Sequence, residues 1–183
     1  MDRHTALDLL HEYTRSEALR AHALGVEAAM RSMCRKYGGD EEIWAITGLL
    51  HDFDYEIHPT MEKHPTEGAP ILRERGCPEE VVQAILGHGN HTGVARESQL
   101  ARCLFAVDEL VGFITAVALV RPSKSVRDVT VKSVKKKLKD RAFARSVSRE
   151  DIGQGVEELG VPLEEHIQLV VDAMVGVSDD IGL

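Results

Sequence analysis

The sequence predicts an all-α fold in which residues 1–183 form a single domain of roughly eight or more helices. Apolar residues recur at helical spacing in nearly every segment, and no segment alternates apolar and polar residues between hairpin turns. Hydrophobic residues make up 43% of the chain but aromatic residues only 4%, a composition typical of a soluble protein rich in helix formers. A chain of 183 residues can bury roughly 70% of its unfolded surface, so one core is sufficient.

The first helices have clear start signals. A helix from Asp2 to Tyr13 is followed by "SEALRAHALGVEAAMRSMCRKYGG", in which Ser16 is the predicted N-cap and the glycines end the helix. Asp40 then caps a third helix. Six further helices are predicted over about 65–75, 78–87, 97–120, 130–139, 148–159 and 162–177. The connections contain "RGCP", "GHGNHTG", "RPSK" and "LGVP", which are sequences typical of turns.

The composition excludes two classes of protein. The longest apolar run, "LVGFITAVALV", has 11 residues and is too short to span a bilayer, and the N-terminal segment lacks the apolar core of a signal peptide. We therefore expect a cytoplasmic protein that does not associate with membranes. The three cysteines, Cys34, Cys77 and Cys103, show no C-x-x-C spacing, so neither a disulfide framework nor a cysteine zinc site is indicated. They are predicted to be small buried residues.

Several polar side chains fall where apolar ones are expected. His22 lies on the apolar face of the second helix, although a lone inward histidine is usually a hydrogen-bonded core residue. His51 and Asp52, in "GLLHDFDYE", end the buried face of the third helix. Asp108, in "LFAVDELVGF", is surrounded by apolar residues, where an ionised carboxylate costs several kcal/mol unless it is compensated. An arginine such as Arg102 and a metal ion are equally suitable compensators.

Three more histidines occur in turn segments. They are His64 in "EKHPTEG" and the pair His88 and His91 in "GHGNHTG". Each one alone is usually a solvated side chain. Together with the four polar residues above they form a set of imidazoles and carboxylates, which suits iron, manganese, cobalt, zinc or magnesium.

The order of these residues resembles that of the HD superfamily of metal-dependent phosphohydrolases. The matching segments are "LRAHALGVEAAM", "GLLHDFDYE" and "LFAVDELVGF", and the resemblance covers about residues 16–120. It implies an all-helical HD-type domain whose ligands converge at the centre of the bundle. Within the single domain, we expect the metal-site core over 16–120 and a basic helical C-terminal extension over 121–183. The ligands implied for a first metal are His22, His51, Asp52 and Asp108. Those implied for a second metal are His64 and His88, with Asp52 as a possible bridge and His91 as an extra ligand or a supporting group.

One position departs from the family pattern. Members that cleave cyclic dinucleotides tend to have a lysine three residues after the His-Asp pair, whereas this chain has Tyr55. This weakens a cyclic-dinucleotide interpretation and leaves the general acid unassigned. Lys63 and Asp54 are candidates for that role, beside Asp52 as a catalytic metal ligand.

The basic residues are concentrated in one segment. The net charge is −8, yet 11 of the 22 Lys and Arg residues lie between residues 121 and 149. An anionic partner would therefore bind there. Arg121 and Lys124, in "VRPSKS", could hold substrate phosphates or merely solvate a loop.

These features together predict a metal-dependent phosphohydrolase with one or two divalent ions. Its substrate would be a small phosphorylated molecule, such as a nucleotide, with a phosphate ester or anhydride to cleave. Two alternatives stay open: a regulatory module that binds metal or nucleotide with little turnover, and a nucleic-acid-binding protein that uses the basic helix at 130–145. On that helix one face carries lysines and the opposite face apolar residues, which is also the pattern of a solvated helix packed on a core. The lysines are Lys132, Lys135, Lys136 and Lys139.

Overall fold

The computed structural model describes all of residues 1–183 and consists of helices and loops without β-strands. The nine α-helices are α1 (Arg3–Tyr13), α2 (Glu17–Tyr37), α3 (Glu41–Leu50), α4 (Gly68–Glu74), α5 (Glu79–Leu86), α6 (Gln99–Leu119), α7 (Val131–Leu138), α8 (Arg149–Leu159) and α9 (Leu163–Gly176). Short 3-10 turns lie at Asn90–Thr92 and Val126–Asp128. The predicted all-α class is therefore confirmed.

The helix starts follow from capping side chains. Asp2, Ser16 and Asp40 each accept a hydrogen bond from a backbone N–H in the first turn of α1, α2 and α3. The predicted helix over 65–75 instead begins at Gly68. Residues 60–67 form hydrogen-bonded turns, which bury His64 rather than continue a helix.

The central helices pack with little space between their backbones. A Cβ atom on Gly48 of α3 would lie 2.9 Å from the Glu27 backbone of α2. A Cβ atom on Gly155 of α8 would lie 2.7 Å from Ala106 Cα of α6. Both positions need glycine because the neighbouring atoms are backbone and cannot move aside.

Residues 121–183 pack on the same core as the preceding helices. Val134 of α7, Ile152 of α8 and Val170 of α9 belong to one continuous apolar cluster that includes α2, α3 and α6. His166 of α9 is buried, and its Nε2–H donates a hydrogen bond to the Ala106 carbonyl of α6 at 2.8 Å. The three cysteines are also buried, as predicted. No helix has the length and apolar character needed to cross a membrane.

Candidate metal centre

Four helices and a turn bring the predicted ligand residues together. His22 lies in the second turn of α2 and Asp108 in the middle of α6, on helices that pack side by side. The other four lie at or beyond helix ends: His51 and Asp52 after α3, His64 before α4, and His88 after α5. Polar side chains at these ends reach the bundle interior without interrupting an apolar helix face.

The first cluster contains His22, His51, Asp52 and Asp108, whose candidate ligand atoms all lie within 4.8 Å of one another. Asp108 Oδ1 lies 2.9 Å from His22 Nε2 and 3.3 Å from His51 Nε2. Asp52 Oδ2 lies 3.4 Å from His51 Nε2. This arrangement provides two imidazole nitrogens and two carboxylates around one point.

The second cluster shares Asp52 with the first. Asp52 Oδ1 lies 3.1 Å from His64 Nε2 and 3.4 Å from His88 Nε2. The two imidazole Nε2 atoms are 3.2 Å apart. Asp52 thus directs one oxygen to each cluster, which is the geometry of a carboxylate that bridges two metal ions.

In three of the four rings, a hydrogen bond on the far side leaves the inner nitrogen free to act as a ligand. His51 Nδ1 lies 2.8 Å from the Gly48 carbonyl and His88 Nδ1 lies 2.5 Å from the Ile85 carbonyl, so both Nδ1 atoms carry the proton. His64 Nδ1 likewise donates to Asp54 at 2.7 Å. The fully buried His51 Nε2 has no hydrogen-bond partner of its own. Lone pairs that face one another and two carboxylates fit a divalent cation.

Protons compete with a metal for the same lone pairs. Burial lowers the pKa of His64, but hydrogen bonds and attraction to Asp52 and Asp54 outweigh that effect and raise it from 6.5 to about 9. Burial opposes the charged form of His51 too, yet Asp52 and Asp108 raise its pKa well above 6.5. Metal binding must therefore displace protons from these rings.

Two predicted residues hold the His64 segment in place. Asp54 is fully buried behind the His64 ring, with Gly68 packed closely against its carboxylate. It cannot reach a substrate, so its assignment as a general acid is wrong; it orients His64 instead. The His91 Nε2–H donates to the backbone carbonyl of His64 at 2.8 Å, which matches a supporting group rather than an extra ligand.

A cavity of about 640 Å³ opens over both clusters. Besides the ligand residues, its lining includes Tyr55, Glu109 and Asp151. Lys63, Arg121 and Lys124 are not part of this lining, since Lys63 points outward from its turn and the other two follow the end of α6. Their positions give no support to the roles predicted for them in proton transfer and substrate binding.

The sequence interpretation missed Glu109, which lies beside Asp108 and lines the cavity. Its Oε2 accepts a hydrogen bond from the Ser148 N–H at 3.0 Å. Burial, assisted by the negative charge of Asp108, raises the pKa of Glu109 to about 7. The only sequence signal was its place next to a buried carboxylate, which does not distinguish it from a solvated glutamate.

Arg96 was also missed, although it fixes the loop that carries His88 and His91. Its guanidinium donates to the Gly87 carbonyl and to the Asn90 side chain, each at 3.0 Å. It also forms a bidentate pair with Glu158 of α8, at 2.6 and 2.8 Å. The loop that supplies the second cluster is therefore tied to a helix more than sixty residues away in sequence.

An all-helical bundle with a histidine, a His-Asp pair and a later aspartate around one centre defines the HD class of metal-dependent phosphohydrolases. The HD domain family model matches residues 19–111, and the chain belongs to this family. The chain is also similar to the protein named Ribonuclease Y from Sulfurovum sp. (strain NBC37-1), with 29% identity over 134 residues. That match covers 71% of this chain but only 26% of the relative, so the chain spans about a quarter of the relative's length. No solved structure matches.

Proposed function

We propose that this protein is a metal-dependent phosphohydrolase that cleaves a phosphate ester or anhydride of a nucleotide or a related small molecule. The observation that carries the proposal is the position of Asp52, whose two oxygens face two separate sets of imidazole nitrogens. The cavity above these sets has the volume of a small-molecule site, about 640 Å³.

Each of these residues would have a distinct role in such a site. His22, His51 and Asp108 would hold one ion, His64 and His88 a second, and Asp52 both. When bound, divalent ions lower the pKa of water toward neutrality and neutralise negative charge on phosphoryl oxygens. The backbone carbonyls of Gly48 and Ile85 and the Asp54 carboxylate keep the ligand rings in the required tautomer and orientation.

RNA is a second candidate substrate, and one observation favours it. The similar relative is named as a ribonuclease, and an RNA phosphodiester is a phosphate ester. The match covers only a quarter of that protein, so its substrate transfers here as a proposal alone.

Metal content and phosphate release test the proposed function together. Protein purified without chelator and reconstituted with manganese is expected to hold between one and two metal equivalents, measured by mass spectrometry of the metals. It should release phosphate from at least one member of a panel of nucleotides and generic phosphoesters, or cleave a short RNA. Asp52→Asn should lower binding at both sites, and His88→Ala should remove one equivalent.

Asp8→Asn is the matched control, since Asp8 is an exposed carboxylate on α1 that belongs to neither cluster and does not line the cavity. It should change neither metal content nor turnover. A wild-type protein that binds no metal after reconstitution would refute the proposal. Full metal content without turnover on any substrate would instead favour the regulatory module.

A further inference from the structure

A second cavity, of about 720 Å³, lies in the segment between α7 and α8 and is lined mainly by cations. Its lining includes Lys139, Arg141, Arg145 and Arg149, against a single acidic residue, Glu150. We call this cavity the basic groove. Lys139, Arg141 and Arg145 are exposed and form no ion pair within the protein, so their charge is available to a ligand.

The basic groove adjoins the metal cavity. Arg145 lines the groove, the next residue, Ser146, lines the metal cavity, and Ser148 lines the groove again. Consecutive residues, whose Cα atoms are about 3.8 Å apart, thus line the two different cavities. The Ser148 N–H donates to Glu109, which lines the metal cavity next to Asp108.

The groove is held rigidly on the helix that carries Asp108. The Arg149 guanidinium donates to the carbonyl oxygens of Ala144 and Val147, at 2.5 and 2.7 Å, and also to that of Phe143. It lies 4.8 Å from the ring centre of Phe113 on α6, and Phe143 packs edge-on against the same ring. Arg149 is therefore committed to the fold, and the other three cations face the groove.

The metal cavity itself contains no arginine or lysine in its lining. Its side chains include Asp52, Asp108, Glu109 and Asp151, all of which carry or can carry negative charge. The metal ions alone can neutralise a substrate with one phosphate group, but a second phosphate group would lie against acidic side chains. A cavity that shares Asn90 with it also contains arginines, but Arg96 there is paired with Glu158, whereas the basic groove offers cations without an ion-pair partner.

From this juxtaposition we infer that the basic groove binds a further phosphate of the substrate, so that the preferred substrate is a small molecule with two or more phosphate groups. This inference rests on the proposed function and names its substrate class. Arginine is suited to the role because its guanidinium can contact phosphate oxygens bidentately.

The neighbouring surface favours a small polyphosphate over a long nucleic acid. A longer polyanion would need the lysine face of α7 beyond the groove. On that face Lys135, which lies between Lys132 and Lys139, is ion-paired with Glu164 of α9. The row of free positive charge is thus interrupted within the protein.

Binding of inorganic tripolyphosphate to the metal-free protein, followed by calorimetry, tests the groove without requiring hydrolysis. Wild-type protein should bind tripolyphosphate more tightly than inorganic phosphate. The double variant Arg141→Glu/Arg145→Glu should weaken tripolyphosphate binding about 10-fold or more. The control Lys132→Glu/Lys136→Glu makes the same change of net charge at two exposed, unpaired lysines outside the groove. It should change binding by less than about 3-fold.

Kinetics of the manganese-loaded protein then test the substrate class. Arg141→Glu/Arg145→Glu should raise KM for a nucleoside triphosphate while leaving metal content and kcat/KM for the monophosphate near wild type. Absence of tripolyphosphate binding, or an equal loss in both double variants, would overturn the inference. The inference would also be overturned if both double variants weakened the binding of a ten-nucleotide RNA equally. Groove-dependent tripolyphosphate binding without any hydrolysis would refute the proposed function and leave the groove as an anion site.

Discussion

Four consecutive residues, His51 to Asp54, form turns rather than helix and have different surroundings. His51 and Asp54 are fully buried, Asp52 faces the cavity, and Phe53 enters the apolar core. The Phe53 carbonyl accepts a hydrogen bond from the buried Thr14 hydroxyl at 2.9 Å, which fixes the turn. One short sequence therefore supplies two candidate metal ligands, a core anchor and a residue that orients the His64 ring.

Asp54→Asn should weaken the second metal site selectively. The substitution removes the negative charge that accepts the His64 Nδ1–H at 2.7 Å, so the His64 ring becomes a poorer and less well-oriented ligand. Loss of such a partner typically costs 10- to 100-fold in metal affinity, roughly 1.4–2.8 kcal/mol. Stepwise metal titration by calorimetry measures both sites in one protein.

The first metal site serves as the internal control for Asp54→Asn, because Asp54 touches neither His22 nor Asp108. Equal weakening of both sites would indicate a general loss of structure and contradict the specific role of Asp54. Unchanged affinity at both sites would show that the His64 ring is positioned by packing alone.

The geometry of the first cluster depends on the packing of α2 against α3. α2 carries His22, and α3 ends immediately before His51 and Asp52. Gly48 permits the close approach of the two helices, and its carbonyl also accepts the His51 Nδ1–H. The spacing of these helices therefore sets the distance between the ligands that they carry.

Gly48→Ala should destabilise the protein by about 1–3 kcal/mol, because the new methyl group would lie 2.9 Å from backbone atoms of Glu27 and would push the helices apart. It should also lower metal affinity at the first cluster. Gly153→Ala on α8 is the matched control, since a Cβ atom there meets nothing within 4 Å. That change should be neutral or stabilising by up to about 1 kcal/mol. Urea unfolding of both variants measures the difference, and equal effects would show that Gly48 is not a contact of this kind.

The features that could be predicted from the sequence are those that depend on interactions between nearby residues. Helix starts such as those at Ser16 and Asp40 depend on residues within one turn, and they appear where their capping residues predict them. Three separated features, His22, the His51-Asp52 pair and Asp108, could be predicted because each places a polar group in an apolar helical setting. Their convergence was implied by family resemblance and is what the structure provides.

Residues whose role depends on distant partners could not be predicted. Arg96 meets Glu158 across 62 residues, and no local pattern marks either one. Arg121 and Lys124 were candidates for phosphate binding, but they follow the end of α6 at Leu119 and lie outside the cavity lining. The cations next to the site come from the same basic segment, about twenty residues later, because α7 and the following loop fold back against α6.

For the molecule as a whole, the net charge of −8 is the sum over an acidic surface and a basic surface, which adjoin at the site. The metal cavity is lined by carboxylates and the adjoining groove by arginines and a lysine. Divalent ions in the cavity would offset the carboxylates, and anionic substrates would then be attracted to both surfaces. Metal content, substrate binding and stability should consequently all change together when the pH is changed.

The stability of the metal-free protein should fall as pH rises from 7 to 9. The folded-state pKa of His64 is raised from 6.5 to about 9, and that of His51 is also raised, so the folded protein holds protons that the unfolded chain releases above pH 6.5. This stabilisation is complete below pH 6.5 and is lost as pH passes through the folded-state pKa. For His64 the shift corresponds to about 3 kcal/mol, or several degrees in Tm.

Burial raises the pKa of the Cys77 and Cys103 thiols, which adds a contribution of the same sign near pH 9, with chelator and with manganese alike. The raised pKa of Glu109, about 7, has the same sign but acts at lower pH, and the lowered pKa of His166 has the opposite sign below pH 6.5. Protein saturated with manganese should show the reverse trend, since the ligand histidines must be neutral to bind and metal stabilisation therefore grows with pH. Thermal melts at pH 7, 8 and 9, with chelator and with manganese, measure both slopes. Parallel slopes under the two conditions would mean that protons and metal do not compete for the same imidazoles, and the ligand assignment of His51 and His64 would be lost.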